Sequence, residues 1–521
     1  MDPLARPQPR VFGPQAEGIR HVRRSTLFET ELKFQVPPAR RAALLKAMST
    51  ATAVTIRLQA MYADTADRRL AAAGLALRLR KEGRHWVQTL KGRGEGPLQR
   101  LEHEVRLPAS VGRPALDAFR HAGTPAGDRL LALLADGADL IPLYGTDIRR
   151  LRRQVRFEGA VVELAYDRGH IFADQRRLAV DELELELVRG PSSALVALAR
   201  RWAQRHELWW DVRSKAERGH RLALAVDQVP AVKAPAFTLP AGTTPGQAFA
   251  LWLQQALMQA LPNASEIADG SSGPEHLHQL RVALRRLRAT LRVFAPWAND
   301  PVEAAALELA WREPFALLGV VRDQDVMAQS LLPALAAAGA PTLAPMAVPA
   351  PMAPAQVVCA PEFADLMLRT LTLIVTPPGL DAPLSPQPLQ DLKAAVQEQL
   401  NPLGRQVRKG AARFAQASPS EQHRLRKRIK RLRYVLEGAQ SLFKRRATQS
   451  CLRGLRQALQ ALGELHDQQV AQALYRDRAA QDPQAWFAVG YLAGREKGLH
   501  ADAVQALANL KDSPLPWRKA S

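Results

Sequence analysis

The chain has 521 residues, 72 Lys and Arg against 50 Asp and Glu, and a formal net charge of +22. That length predicts two or three domains, and 47% apolar with 23% charged residues supports ordinary soluble cores. Two cysteines, Cys359 and Cys451, exclude a disulfide framework, no Cys/His cluster offers a zinc site, and the excess of cations predicts polyanionic partners.

Residues 1–24 carry Pro, Gln, Gly and Arg without periodicity and are expected to form a disordered tail, with no apolar stretch of the kind a secretory signal needs. From residue 25 to about 228, short alternating runs predict strands: Glu29 to Val36, Ala76 to Arg80, Trp86 to Lys91, Arg100 to Leu107, Val161 to Ala165 and Glu182 to Val188. Helical periodicity predicts helices over Pro38–Met48, Pro114–Ala122 and Ser192–Glu207. Residues 229–247, rich in Pro, Ala, Thr and Gly, read as a linker. Residues 248–521 change to long helical patterns. A Pro/Ala-rich insertion near 341–361 is expected to be a surface loop. The longest uncharged stretch, Val326 to Pro361, contains seven prolines, which argues against a membrane span. A reducing, cytoplasmic setting is the expectation.

Side chains two apart on a strand share a face. Glu29, Glu31 and Lys33 therefore stand together, with Leu32 and Phe34 opposite. Arg78 and Arg80 repeat the arrangement, as do Arg100, Glu102 and Glu104, then Glu182, Glu184 and Glu186, while Glu163 adds one more acid. One such strand is an ordinary solvated face. Several, with acids on some strands and guanidiniums on others, are better explained by a closed barrel with a polar lumen. Clustered carboxylates suit Mg²⁺ or Mn²⁺, and facing Arg and Lys suit phosphate oxygens. That combination serves phosphoryl transfer, with water as nucleophile activated by a glutamate or by the metal.

The pattern Glu29-x-Glu31-x-Lys33 resembles the ExExK signature of the CYTH family, the triphosphate tunnel metalloenzymes. The likeness continues through Tyr62-Ala-Asp64-Thr65, Leu77-Arg78-Leu79-Arg80, Gln88-Thr89-Leu90-Lys91, Thr146-Asp147-Ile148-Arg149-Arg150, Glu163-x-x-x-Asp167-x-Gly169, Glu182 to Glu186 and Ser214-Lys215. The resemblance implies an α+β domain with an eight-stranded antiparallel β tunnel that cleaves the terminal phosphoanhydride of a triphosphate. It implies catalytic roles for Glu29, Glu31 and Lys33. It further implies metal ligands among Glu29, Glu31, Asp167, Glu182, Glu184 and Glu186, and phosphate contacts from Lys33, Arg78, Arg80, Lys91, Arg150 and Lys215. Which glutamates of the Glu182–Glu186 row bind metal stays open, and so does Arg149 against Arg150.

In the helical half, His278, Arg281, Arg285, Arg288 and Arg292 fall within an arc of about 80° on one helix. Leu280, Leu284, Leu287 and Leu291 occupy the opposite face. His276 reads as an ordinary exposed residue. The phrase returns 145 residues later, with His423, Arg426, Lys430 and Arg433 at the same phases. Each copy is followed by a Gly-x-x-x-Asp-Gln-x-Val segment, from Gly319 and from Gly463, which marks an internal duplication. No acid lies between His278 and Arg292 or between His423 and Arg433. Like charges at i,i+4 repel, so an external polyanion is expected to neutralise both stripes. The surrounding cations should keep His278 and His423 neutral near pH 7.

This half resembles the CHAD (conserved histidine α-helical) domain, which implies an all-α domain of two pseudo-symmetric four-helix bundles with basic helices lining a shared groove. It also implies binding of inorganic polyphosphate through His278, Arg281, Arg285, Arg288, His423, Arg426, Lys430 and Arg433, and association with polyphosphate granules. A nucleic acid fits less well, because the stripes lack aromatics for base stacking apart from Tyr434. The combined expectation is an inorganic triphosphatase with a polyphosphate-holding module and no membrane partner. The alternatives are adenylyl cyclase or thiamine triphosphatase chemistry in the tunnel, or a non-catalytic polyphosphate-binding protein.

Overall fold

The structure is a computed structural model that describes residues 28–94, 96–108, 112–326, 331–341, 351–376 and 388–517. The expected tail at 1–24 and residues 342–350 of the Pro/Ala-rich insertion lie outside the described residues.

Eight antiparallel strands close into a barrel: β1 (Phe28–Gln35), β2 (Val54–Asp64), β3 (Leu75–Glu82), β4 (His85–Arg93), β5 (Gln99–Leu107), β6 (Ile141–Phe157), β7 (Ala160–Ala173) and β8 (Arg176–Arg189). The order is β5-β4-β3-β2-β6-β7-β8-β1, and β1 pairs with β5 to complete the ring. A short ninth strand, β9 (Trp209–Trp210), adds to β1. Directly opposed residues share a face, so the register decides what enters the lumen. Glu31 opposes Glu186, Lys33 opposes Glu184, Asp167 opposes Glu182 and Arg150 opposes Asp167.

On β1, β3, β4, β7 and β8 the alternate face carries apolar side chains that pack outward. Leu32, Phe34, Leu164, Tyr166, Leu183 and Leu185 share one core with helix α4 and with the helical half. Leu77 and Leu90 pack against helix α3 on another wall. In this half the helices are α1 (Arg41–Met48), α2 (Arg69–Ala72), α3 (Pro125–Leu133), α4 (Ser192–His206) and α5 (Lys215–Leu224). The helix expected over Pro114–Ala122 is only a 3₁₀ turn, Ala118–His121, because the Asp117 side chain caps Phe119 N.

The lumen is not polar throughout. At one end Leu58, Tyr62, Tyr144, Ile148, Ile171 and Val180 form an apolar lining that packs on Ala216, Leu222 and Ala223 of α5. A Cβ at Gly219 would lie 2.2 Å from the Tyr144 ring, so only glycine lets α5 sit this close.

The first part of the helical half comprises α6 (Pro245–Asp269), α7 (Pro274–Phe294), α8 (Pro301–Ala310), α9 (Arg312–Val326), α10 (Leu332–Ala337), α11 (Pro354–Cys359) and α12 (Pro361–Val375). The second comprises α13 (Pro388–Ala412), α14 (Pro419–Gly438), α15 (Arg445–Arg478) and α16 (Ala485–Asp512). The two basic helices, α7 and α14, pack on each other. Part of the expected insertion loop is therefore helix: α11 buries Val357 and Val358 against the main core. Val232, within the expected linker, is held in both directions by Asn263, through N to Oδ1 at 3.1 Å and O to Nδ2 at 2.9 Å. Among the described residues, no helix is long and apolar enough to cross a membrane.

Candidate active site and cationic groove

One lumen wall is built by β1, β5, β4 and β3. Glu29 accepts a hydrogen bond from Lys91 Nζ at 3.1 Å, and Lys91 also pairs with Glu102. Glu31 meets Arg100 Nε at 2.7 Å. Arg78 lies 3.7 and 3.8 Å from Glu102 and Glu104, and Arg80 lies 3.2 Å from Glu104. Burial opposes charge on Lys91, yet Glu102 and Glu29 hold its pKa well above the ordinary lysine value. Burial raises the Glu102 carboxyl despite Lys91 and Arg78.

The opposite wall gathers Asp167, Glu182 and Glu184. Lys215, at the first turn of α5, meets Asp167 at 2.7 Å and Glu184 at 2.8 Å and also pairs with Glu182. Arg150 takes Asp167 in a two-toothed grip at 2.6 and 2.7 Å and reaches Glu184. Arg218, one turn into α5, meets Glu182 at 2.6 Å. Burial would raise Glu182 and Glu184, but Lys215 with Arg218 in the first case and Arg150 in the second holds both below the ordinary carboxylate range. Arg149 is exposed while Arg150 faces in. Lys33 is only 4% exposed and donates to the backbone carbonyl of Arg213. Burial lowers its pKa, and Glu182 and Asp211 oppose the shift.

One carboxylate oxygen from each of Asp167, Glu182 and Glu184 lies within 4.8 Å of the others. Three converging hard oxygen donors fit a divalent cation. Glu29, Glu31 and Glu186 are not in that group. Glu29 and Glu31 face cations on the first wall, and Glu186 stands opposite Glu31 in the register.

The sequence reading left Arg100, Glu102, Glu104, Arg213 and Arg218 without roles. The three β5 charges were visible as a row, and Arg218 follows Lys215 by one helical step. Arg213 has no pattern to mark it.

In the helical half, Leu280, Leu284, Leu287 and Leu291 are fully buried, as the periodicity requires. The counter-charges missing along each stripe are supplied by other helices and, for Arg433, by the end of its own helix. Glu308 of α8 meets Arg288 and Arg292, at 2.9 and 2.8 Å. Glu437 meets Arg286 and Arg433, at 3.2 and 3.4 Å, and Asp467 of α15 lies 3.8 Å from Arg426. The expectation of stripes neutralised only from outside is corrected accordingly, since a count along one helix cannot see acids brought by folding. His276 is also buried, accepting from Gly273 N at 3.0 Å, so it caps α7. Phe315 adds an aromatic ring beneath Arg281, Arg288 and Arg285, whose guanidinium carbons lie 4.5, 5.3 and 5.7 Å from its centroid.

What remains concentrated is a cluster drawn from both copies. Burial, with Arg426, Arg285 and Arg281 close by, pushes Lys430 down to about 7, and Asp467 opposes the shift. Burial and the adjacent Lys427 lower His423, whose ring lies 5.3 Å from His466. His278 is half-buried on α7.

Residues 27–220 match the family model of the CYTH domain, and residues 252–476 match that of the CHAD domain. Over 206 residues the chain is 27% identical to an inorganic triphosphatase of Haemophilus influenzae, a match covering 38% of this chain and 55% of that protein. The chain thus spans about half the length of this relative. Among solved structures it is similar to the CHAD domain from the plant Ricinus communis, with 28% identity and a TM-score of 0.45, covering 55% of this chain and 98% of that one. It is also similar to a putative adenylyl cyclase from Hippeastrum described as having a dominant triphosphatase activity, with 18% identity and a TM-score of 0.28, covering 38% and 96%.

Proposed function

Because the chain joins a CYTH domain to a CHAD domain, we propose that its tunnel hydrolyses inorganic triphosphate, or the ends of short polyphosphates, and that its helical half binds inorganic polyphosphate. The observation that carries the first reading is the meeting of Asp167, Glu182 and Glu184 beside Arg150 and Lys215 in a closed lumen. Carboxylates and cations that neutralise each other in the free enzyme can exchange partners when a phosphate chain enters. Lys33, Arg78, Arg80, Lys91, Arg150 and Lys215 then hold phosphate oxygens. Asp167, Glu182 and Glu184 are the residues that would hold Mg²⁺ or Mn²⁺, with Glu29, Glu31 and Glu186 as the remaining acids of the lumen. Bound there, such an ion would neutralise charge on the phosphoryl group.

Water attacks the terminal phosphorus, its oxygen forms the new P–O bond, and the bridging P–O bond breaks to release pyrophosphate from triphosphate. A glutamate of the lumen takes the proton of that water.

The second reading is carried by Arg281, Arg285, Arg426 and Lys430, four cations from two repeats that meet where burial, and then the neighbouring guanidiniums, depress Lys430. A phosphate chain would lie across α7 and α14, with His278, Arg288, His423 and Arg433 flanking it.

The test is phosphate release from tripolyphosphate, ATP, thiamine triphosphate and long-chain polyphosphate, side by side, with Mg²⁺, Mn²⁺ or chelator. Metal-dependent release fastest from tripolyphosphate is the expected result. Preferential turnover of ATP or thiamine triphosphate would replace the substrate, and silence on all four with polyphosphate still bound would make the protein a scaffold.

A further inference from the structure

The segment Asp211–Val212–Arg213, between β9 and α5, touches the lumen on one side and α6 on the other. On the lumen side, the Arg213 carbonyl accepts from Lys33 Nζ, and the Val212 carbonyl accepts from Arg100 Nη2 at 3.1 Å. Arg100 in turn holds Glu31 at 2.7 Å. Asp211 N donates to the Lys33 carbonyl at 3.1 Å, and the Asp211 carboxylate accepts from Gln35 at 2.9 Å. Two residues of the Glu29-x-Glu31-x-Lys33 strand are thus set by two adjacent carbonyls.

On the other side Val212 and Arg213 are tied to the last turns of α6. Val212 N donates to Ser265 Oγ at 3.2 Å. The Arg213 guanidinium meets Asp269 at 2.7 Å and Glu266 at 3.9 Å, and it also grips Asp211 at 2.8 Å. Arg213, Asp211, Ser265 and Glu266 are all buried. Arg221 of α5 adds a second tie to Glu266, at 2.8 and 2.9 Å. A buried guanidinium shared by three carboxylates has a narrow choice of positions, and its backbone is fixed with it.

We propose that Arg213, anchored by Asp269 of α6 beside the Val212–Ser265 bond, is a positioning residue for the tunnel: the helical half sets the places of Lys33 and Glu31 through a three-residue strap. A displaced carbonyl would let Lys33 turn from the lumen, and sub-ångström to ångström misplacement of such groups costs rate. The bonds of the strap run to Lys33, Arg100, Gln35 and α6, so its effect is expected to be separable from polyphosphate retention.

This inference rests on the triphosphatase reading. The test uses the full chain with Ser265→Ala/Asp269→Asn, both changes lying on α6, and separately Arg213→Ala and Arg213→Lys. Three readouts are taken: kcat and KM for tripolyphosphate with Mn²⁺, tripolyphosphate affinity by calorimetry without metal, and retention on immobilised long-chain polyphosphate. The expected result for the α6 double variant and for Arg213→Ala is a fall in kcat/KM of about ten- to a hundredfold, weaker tripolyphosphate binding and unchanged polyphosphate retention. Arg213→Lys should recover part of the loss. Retention reports folding, so a variant that loses it is replaced by the milder Asp269→Asn alone, for which a smaller fall of the same kind is expected. Variants with wild-type kinetics and affinity would overturn the strap while leaving the triphosphatase intact. A wild type that binds tripolyphosphate without turnover would overturn the catalytic reading, and the affinity arm would still decide the strap. A wild type that neither binds nor cleaves it overturns both.

Discussion

Gly319 of α9 lies directly against Arg281 of α7: a Cβ on the glycine would come within 2.7 Å of the arginine's Nη1. The duplicated counterpart, Gly463 of α15, keeps the same relation to Arg426, with a Cβ at 3.5 Å from Nη2. The glycine that follows each basic helix in the sequence therefore leaves room for that helix's own guanidinium. The first pair is tight and the second is ordinary van der Waals contact.

That difference predicts opposite outcomes for one substitution. Alanine in a helix is favoured over glycine by up to about 1 kcal/mol, so Gly463→Ala should raise the unfolding midpoint and leave polyphosphate retention unchanged. Gly319→Ala should displace Arg281 from the Phe315 carbonyl, which it now meets at 2.8 Å, and cancel the helix gain. Severalfold weaker polyphosphate binding is expected from Gly319→Ala alone. Equal behaviour of the two variants would deny the guanidinium pocket its role.

Lys430 gives a proton-linked prediction. With its pKa pushed down to about 7, the folded protein binds fewer protons at this site than the unfolded chain between there and the ordinary lysine value. Stability should consequently rise with pH across that window. A polyanion lying over Arg281, Arg285, Arg426 and Lys430 favours the charged amine, so binding at pH 8 should take up a proton. Calorimetry of polyphosphate binding in buffers of different ionisation enthalpy measures this directly. Lys430→Met should bind more weakly and without the uptake, and equal proton counts in the two proteins would place the phosphate chain elsewhere.

Glu308 now neutralises Arg288 and Arg292. Glu308→Gln should release both cations toward the groove, tighten polyphosphate binding and steepen its salt dependence. The same change removes one partner of a mostly buried pair, so a lower unfolding midpoint should accompany it. No change in the salt slope would mean that these two arginines serve the fold alone.

In the tunnel, Lys215 compensates three carboxylates. Lys215→Met should destabilise by about 3–5 kcal/mol near neutral pH, since it strands buried negative charge. Glu182 and Glu184 have folded pKa values below the ordinary glutamate value of 4.5. The stability they contribute in the wild type is present above that value and disappears as pH falls through the folded values. Lys215 sits above the ordinary lysine value, so its own contribution persists up to strongly alkaline pH. The gap in unfolding midpoint between wild type and Lys215→Met should therefore be wide near pH 7 and narrow as pH falls through the folded values of the two glutamates. A constant gap would show that the lysine acts through packing.

The parts of this protein that could be read from its sequence are those whose patterns follow their local element. Glu29, Glu31 and Lys33 alternate with Leu32 and Phe34, and the register places them as that alternation demands. Arg281 and Leu280 likewise fall on the faces that helical periodicity assigns. Strand β6 was legible only as a motif, because arginines occupy both of its faces and mask the alternation. Helix α5 escaped notice for a related reason: Lys215 and Arg218 point into the protein, against buried glutamates, so its polar residues mark an inner face. The acids that pair the basic stripes, Glu308, Glu437 and Asp467, stand on other helices or beyond the stripe. A window confined to either stripe contains none of them.

Barrel closure has a consequence for how the chain reaches this state. Strand β1 is made before the other seven barrel strands, yet its barrel partners are β5, through Phe28 with Leu101, and β8, through Glu31 with Glu186. Pairings so distant along the chain form slowly, because loop closure precedes the contacts that reward it. The strand bearing Glu29, Glu31 and Lys33 therefore keeps one edge unpaired until Glu186 has been synthesised, and its charged face helps to keep that waiting edge from pairing with a neighbouring chain.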